Sequence, residues 1–283
     1  NENVFDNIQF YPEYFSFVSD KSGYPHLYWY SMNGNLIKQV TSGNYEVKNF
    51  SGWNPDTNEF YYTSNEESPM RQAVYKIDRK GKKMKLSNQP GTNSPIFSSS
   101  MKYFMNKFTS LDTPILITLN DNTGKVLKTL VTNDKLKQKL AEYAIPQKEF
   151  FTFKTTEGVD LNGWMMKPVN FDPAKRYPVL MFQYSGPGSQ QVLDKWGISW
   201  ETYMASLGYV VACVDGRGTG GRGSEFQKCT YLNLGVKEAK DQVEAAKYLG
   251  GLPYVDKGRI GIWGWSFGGY MTIMSMSEGT PVF

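Results

Sequence analysis

Along residues 1–137, short runs of aromatic and β-branched residues recur between polar turns, and each run predicts a strand. Three segments open with an aromatic run, at 14–18, 60–63 and 103–108. A second apolar run follows in each, at 27–30, 73–77 and 115–119, then a turn glycine, Gly34, Gly81 or Gly124. A third run closes each segment, at 36–40, 84–86 and 126–130. The turn glycines are 47 and 43 residues apart. Several strands repeating with a period of ~40–50 residues is the pattern of a β-propeller. An unrelated run of antiparallel hairpins is the alternative reading. Propellers close with ~4–8 blades, so further blades are expected before Asn1, and both ends of the chain read as cut.

The periodicity changes after residue 132. Asn133-Asp134 can cap a short helix whose Leu136, Leu140 and Tyr143 share a face, and Pro146 stops it. A boundary at 146 divides the chain into 1–146 and 147–283. Beyond it, apolar strand runs at 150–155 and 161–167 flank Glu157-Gly158. Further strands are predicted at 178–184, 209–214 and 259–263, alternating with helical patterns at 200–207 and 236–249. Such alternation predicts an α/β domain with a largely parallel sheet covered on both faces.

Composition narrows the function classes. Aromatic residues make up 15% of the 283, which favours strands. The net charge of +4 is spread over both halves, leaving no basic face for nucleic acid. No apolar stretch reaches the ~18 residues of a membrane-spanning helix. Two cysteines, Cys213 and Cys229, are too few for a disulfide scaffold or a cysteine metal site, and are expected to be free thiols. The chain has one histidine, His26, so histidine chemistry must use it or a residue outside these 283.

One motif carries chemistry. Gly264-Trp265-Ser266-Phe267-Gly268-Gly269 follows the strand at 259–263 and precedes the apolar stretch 270–276, fitting G-x-S-x-G. A serine at a tight strand-to-helix turn stands clear of the backbone, and glycines remove the Cβ atoms that would collide there. The helix that follows aims its N–H groups at a developing oxyanion. The pattern alone recurs by chance; the flanking strand and helix make Ser266 the candidate nucleophile.

The string Gly264-Trp265-Ser266-Phe267-Gly268-Gly269-Tyr270 resembles the nucleophile motif of the dipeptidyl peptidase IV branch of the prolyl oligopeptidase family. Gln183-Tyr184-Ser185-Gly186-Pro187-Gly188-Ser189-Gln190 resembles that family's oxyanion loop. Val214-Asp215-Gly216-Arg217-Gly218 resembles its next loop, and Asp241-Gln242-Val243-Glu244-Ala245-Ala246 the helix after it. In the first half, Ser22-Gly23-Tyr24-Pro25-His26 resembles a late propeller blade. The resemblance implies the last blades of a β-propeller followed by the first part of an α/β-hydrolase domain. It implies a serine exopeptidase that removes Xaa-Pro or Xaa-Ala dipeptides from peptides with a free N-terminus, without a cofactor.

Carried over residue by residue, it implies Ser266 as nucleophile, with the Tyr184 hydroxyl and the Phe267 backbone N–H as oxyanion donors. Judged without the resemblance, Tyr184 reads as an ordinary strand-end tyrosine. Phe267 stands where the family usually has Tyr, which keeps the backbone donor and an aromatic wall for the proline-accepting pocket. The family's triad runs Ser, Asp, His along the chain; after Ser266 there is one acid, Glu278, and no histidine. The chain by itself is therefore expected to be inactive. Family habit implies a homodimer in a periplasmic, secreted or cell-surface location.

Other residues read as structural. His26 sits between predicted strands, and Glu66-Glu67 lies in a loop beside Ser68-Pro69, matching no family motif. Asp215-Gly216-Arg217-Gly218-Thr219-Gly220 resembles a phosphate loop but lacks the Lys-Ser/Thr of a P-loop. The lysine cluster around Gly81 spans a hairpin turn, where charges discourage edge pairing. Two alternatives stay open: a tripeptidyl or acylaminoacyl peptidase of the same family, and a catalytically dead binding protein on the same scaffold.

Overall fold

A computed structural model describes residues 5–279 and 281–283. Two compact units form. One comprises the chain up to Asp134 with Leu193–Trp196 and Gly221–Glu225; the other comprises Lys135–Val192, Gly197–Gly220 and the chain from Phe226 on.

The first unit contains three antiparallel four-stranded sheets. The first is β1 (Phe5–Phe10), β2 (Tyr14–Ser19), β3 (His26–Ser31) and β4 (Leu36–Gln39). The second is β5 (Val47–Asn54), β6 (Glu59–Ser64), β7 (Ala73–Asp78) and β8 (Lys83–Lys85), and the third is β9 (Thr92–Phe97), β10 (Tyr103–Thr109), β11 (Leu116–Asp121) and β12 (Val126–Val131). In each sheet the strands pair in sequence order. The repeat survives in atomic detail. Gly34, Gly81 and Gly124 all have φ between +80° and +95°, and each N–H donates to the carbonyl three residues back, at 2.9–3.0 Å.

Each sheet has one strand more than the sequence predicts, and the additions are all edge strands: β1, β5 and β9. Their residues hide them. β5 alternates poorly and carries Gly52, with register shifts at Val47/Asn49 and Phe50/Gly52; β1 shifts between Asp6 and Gln9. β9 holds Pro95, tolerated because an edge strand needs no N–H on its open side.

The aromatic run in β6 has a clear cause. Phe60 and Tyr62 enter a cluster with Trp29, Phe50 and Tyr75, while Tyr61 enters another with Val74, Leu86 and Phe104. The middle sheet is thus buried on both faces, so alternate positions both need apolar bulk. The short helix α1 (Asp134–Leu140) follows as expected but buries none of its residues.

The second unit is built on a five-stranded mixed sheet in the order β13-β14-β16-β15-β17, with β13 (Lys148–Lys154), β14 (Asp160–Met166), β15 (Tyr177–Phe182), β16 (Val210–Asp215) and β17 (Val255–Trp263). Strands β15, β16 and β17 run parallel, whereas β13, β14 and β16 pair antiparallel. Parallel pairing is therefore confined to three strands, because β14 runs opposite to both of its neighbours, β13 and β16. All six residues of β16 are buried. Helices α2 (Trp200–Ser206), α4 (Val236–Gly250) and α5 (Phe267–Glu278) belong to this unit, whereas α3 (Gly223–Lys228) is divided between the two units after Glu225. Ala245, Ala246 and Leu249 of α4 join Val179, Met181, Val210, Ala212, Val214 and Ile262 in one core. The paired alanines let the helix approach the strands closely. Helix α3 has six residues and opens on Gly223, too short for a periodic signal.

Candidate active site

Three residues separate the end of β17 from the start of α5. At the last, Ser266, the backbone is at φ 55°, ψ −120°, away from the helical, extended and left-handed helical wells. A non-glycine residue there costs ~1–3 kcal/mol and persists only where its surroundings over-determine it. Two hydrogen bonds close the turn: Gly268 N–H to Trp265 O at 2.8 Å, and Gly269 N–H to Ser266 O at 2.9 Å.

The motif glycines are required by close approach to the end of β15. A Cβ on Gly268 would lie 2.6 Å from Gln183 O and 3.2 Å from Tyr184 Cα, and one on Gly264 would also collide with Gln183 O. Ser266 is exposed, and its side chain makes no capping bond to α5. Its hydroxyl is therefore not spent on the helix, as an N-terminal serine's usually is. The first N–H groups of α5 have no acceptor within the helix, and that of Phe267 is the first.

Tyr184 lies two residues beyond the end of β15 and is half-buried. Its ring folds over Gly186, where a Cβ would stand 2.5 Å from a ring carbon. The ring centroid lies 6.3 Å from that of Phe267, tilted by 49°. Phe267 in turn meets Tyr270 edge-on at 5.4 Å, and the Tyr270 hydroxyl donates to Leu234 O at 3.1 Å. Ser266, Phe267 and Tyr184, separated by more than 80 residues of chain, thus gather beyond the carboxyl ends of β15 and β17. That is where ligands bind in open α/β sheets.

Buried polar side chains hold the surrounding loops. Gln183 Nε2 donates to Gly268 O at 2.6 Å and to Thr272 Oγ1 at 3.2 Å. Ser185 has φ +57°, and its Oγ accepts from Gln242 Nε2 at 3.2 Å; the same amide donates to Val214 O at 2.9 Å. Asp215 accepts from the N–H groups of Gln191 and Val192 at 2.7–3.1 Å. Burial nevertheless raises its pKa to about 6, against the pull of those two donors. Arg217 binds the Asp241 carboxylate through Nε and NH2, and Glu157 through NH2 at 2.7 Å. These partners, Asp241 first, raise its already high pKa. The Asp215–Gly220 segment is therefore tied to Gln191 and Val192 by Asp215, and to Asp241 and Glu157 by Arg217.

Sequence reasoning gave Gln183, Asp215, Arg217, Asp241 and Gln242 no individual role. A signal was present: Glu238, Asp241 and Gln242 lie on the buried side of α4, where apolar residues would suffice for packing. A polar side chain there must be satisfied.

The remaining candidates are engaged elsewhere. His26 is buried in the first unit. Its Nε2–H donates to Gly43 O at 2.9 Å, and its Nδ1 accepts from Thr41 Oγ1 at 3.1 Å; the carbonyl, an obligate acceptor, fixes that tautomer. Glu66 pairs with Lys83, and Glu67 with Lys85 at 2.5 Å. Both cysteines are free, and burial pushes the Cys213 thiol pKa up.

Residues 2–115 match the family described as the dipeptidyl peptidase IV N-terminal region, and residues 196–283 match the prolyl oligopeptidase family. A probable dipeptidyl-aminopeptidase B of Trichophyton verrucosum is 38% identical over 264 residues, covering 90% of this chain and 29% of that protein. The crystal structure of Porphyromonas gingivalis dipeptidyl peptidase 4 superposes with a TM-score of 0.96 at 48% identity, over 100% of this chain and 41% of that one. A putative dipeptidyl aminopeptidase IV from Bacteroides ovatus gives 0.88 at 32% identity, over 99% of this chain and 43% of that one. The chain spans under a third of the curated relative and about two fifths of each solved chain.

Proposed function

Because the chain belongs to the dipeptidyl peptidase IV branch of the prolyl oligopeptidase family, we propose that it is part of a serine exopeptidase releasing N-terminal dipeptides. Its first unit would supply blades of a β-propeller, and its second the start of an α/β-hydrolase domain. The preferred substrates would be Xaa-Pro and Xaa-Ala peptides with a free N-terminus.

The reaction follows from the site residues. Ser266 Oγ attacks the carbonyl carbon of the second substrate residue, and the carbonyl π pair moves onto oxygen. The Tyr184 hydroxyl and the Phe267 N–H donate to that oxyanion as it forms. A histidine from outside these 283 residues takes the serine proton and delivers it to the departing amine, leaving an acyl-enzyme for water to hydrolyse. His26 cannot serve, since both ring nitrogens are engaged inside the first unit.

The observation that carries this reading is the backbone of Ser266. A strained turn places a serine, exposed and not capping, at the head of a twelve-residue helix. The test uses the full-length protein that contains this chain, with Ala-Pro and Gly-Pro chromogenic substrates and their N-acetylated forms. Turnover is expected for the free substrates only, falling by at least about 10⁴ in Ser266→Ala. Undiminished turnover in that variant would contradict the nucleophile, and equal cleavage of acetylated substrates would contradict the exopeptidase.

A further inference from the structure

Tyr184 and the Ser266 turn come from different elements, yet an oxyanion hole works only if its two donors keep a fixed separation. We infer that Gln183 is the positioning residue that fixes it, by tying the Tyr184 loop to the first turn of α5. The inference rests on the proposed roles of Ser266 and Tyr184.

Gln183 touches the turn in three ways. Its N–H donates to Trp263 O at 3.1 Å, aligning the end of β15 with the end of β17. Its carbonyl oxygen fills the space that side chains on Gly264 and Gly268 would occupy. Its side-chain amide reaches Gly268 O at 2.6 Å and Thr272 Oγ1 at 3.2 Å. Gly268 directly follows Phe267, the second donor, and Tyr184 directly follows Gln183. One residue thus links the positions adjacent to both donors.

Packing alone does not call for a glutamine here. The side chain is fully buried, and its Oε1 has no hydrogen-bond partner. Leaving a buried amide oxygen unpartnered is destabilising, so a Leu or Met would suit a purely structural position better. The Thr272 hydroxyl donates to the same Gly268 carbonyl at 2.8 Å, so Gly268 O is held from two sides. On the far side of Tyr184, Ser185 is held by Gln242, so the segment has little freedom to drift.

The test is a double-mutant cycle in the full-length protein. Gln183→Met keeps the length of the side chain and removes the amide. It should lower kcat about tenfold or more with KM within about twofold, as a misplaced transition-state donor requires. Added to Tyr184→Phe, it should cost less than about threefold further, because the donor it positions is already gone. Thr272→Val, which leaves Gln183 in place, guards against a misfolded Gln183 variant; it should lower kcat a few-fold with KM unchanged. Losses that multiply independently, or an effect confined to KM, would overturn the inference. A Ser266→Ala enzyme that keeps its activity would instead remove the functional reading beneath it.

Discussion

The two units put their buried polar groups to different uses. In the antiparallel sheets such groups bond to one another and to nearby backbone. His26 bonds Thr41 and Gly43, Asn106 donates to Asn93 Oδ1, and Asn93 donates to Gln72 O. At the carboxyl ends of β15 and β17, Gln183, Gln242 and Asp215 bond to loop backbone and hydroxyls, while the Ser266 side chain is exposed and makes no cap. Backbone strain divides the same way. In the first unit, positive φ outside glycine falls on Asn7, Asn58, Asn133 and Met101, and asparagine tolerates such turns. In the second it falls on Ser185, Leu232 and Ser266. Serine has no special fitness for positive φ, so the Ser266 backbone is held there by its surroundings.

The comparison predicts which property each region loses when disturbed. Tyr184→Phe removes the proposed oxyanion hydroxyl and keeps the ring that packs near Phe267. In the full-length enzyme kcat should fall by about 10²–10³, the usual loss for one oxyanion donor, while the thermal midpoint holds. An activity loss below about threefold would reduce Tyr184 to a packing residue.

A smaller effect is expected at His26, and it should appear in stability alone. Burial lowers its pKa, and the Gly43 carbonyl and the charge of Glu66 only partly oppose that. A base with a lowered folded pKa binds fewer protons folded than unfolded. Its contribution is therefore complete above the unfolded value of ~6.5 and is lost as pH falls through the folded one. Hydrogen exchange in β3 and β4 should accelerate between pH 7 and 5 relative to His26→Gln, which has no titrating ring, with kcat the same in both. Matching pH profiles would mean that His26 carries no such coupling.

How much of this was legible in the sequence depends on the range of the interaction. The hairpins around Gly34, Gly81 and Gly124 are local, and pattern plus turn residue predicted them. The edge strands β1, β5 and β9 were not, since bulges, Pro95 and polar residues erase their alternation. The length of β17 was missed for a similar reason: Asp256, Lys257 and Gly258 interrupt the apolar run near its start. Ser266 stood out because strand, glycines and helix are contiguous. Tyr184 stood out only through resemblance; its ring centroid lies 6.3 Å from that of Phe267. Gln183 escaped because its partners Gly268 and Thr272 lie 85 and 89 residues away, beyond any local pattern.

The claim that Ser266 is the group spared for chemistry is tested most directly by locating a covalent adduct. The full-length protein would be treated with a fluorophosphonate, digested, and the modified peptide sequenced by mass spectrometry. The account predicts one stoichiometric adduct, on Ser266 in the peptide joining β17 to α5, with no labelling after heat denaturation. An adduct on another residue, or equal labelling of native and denatured protein, would contradict it.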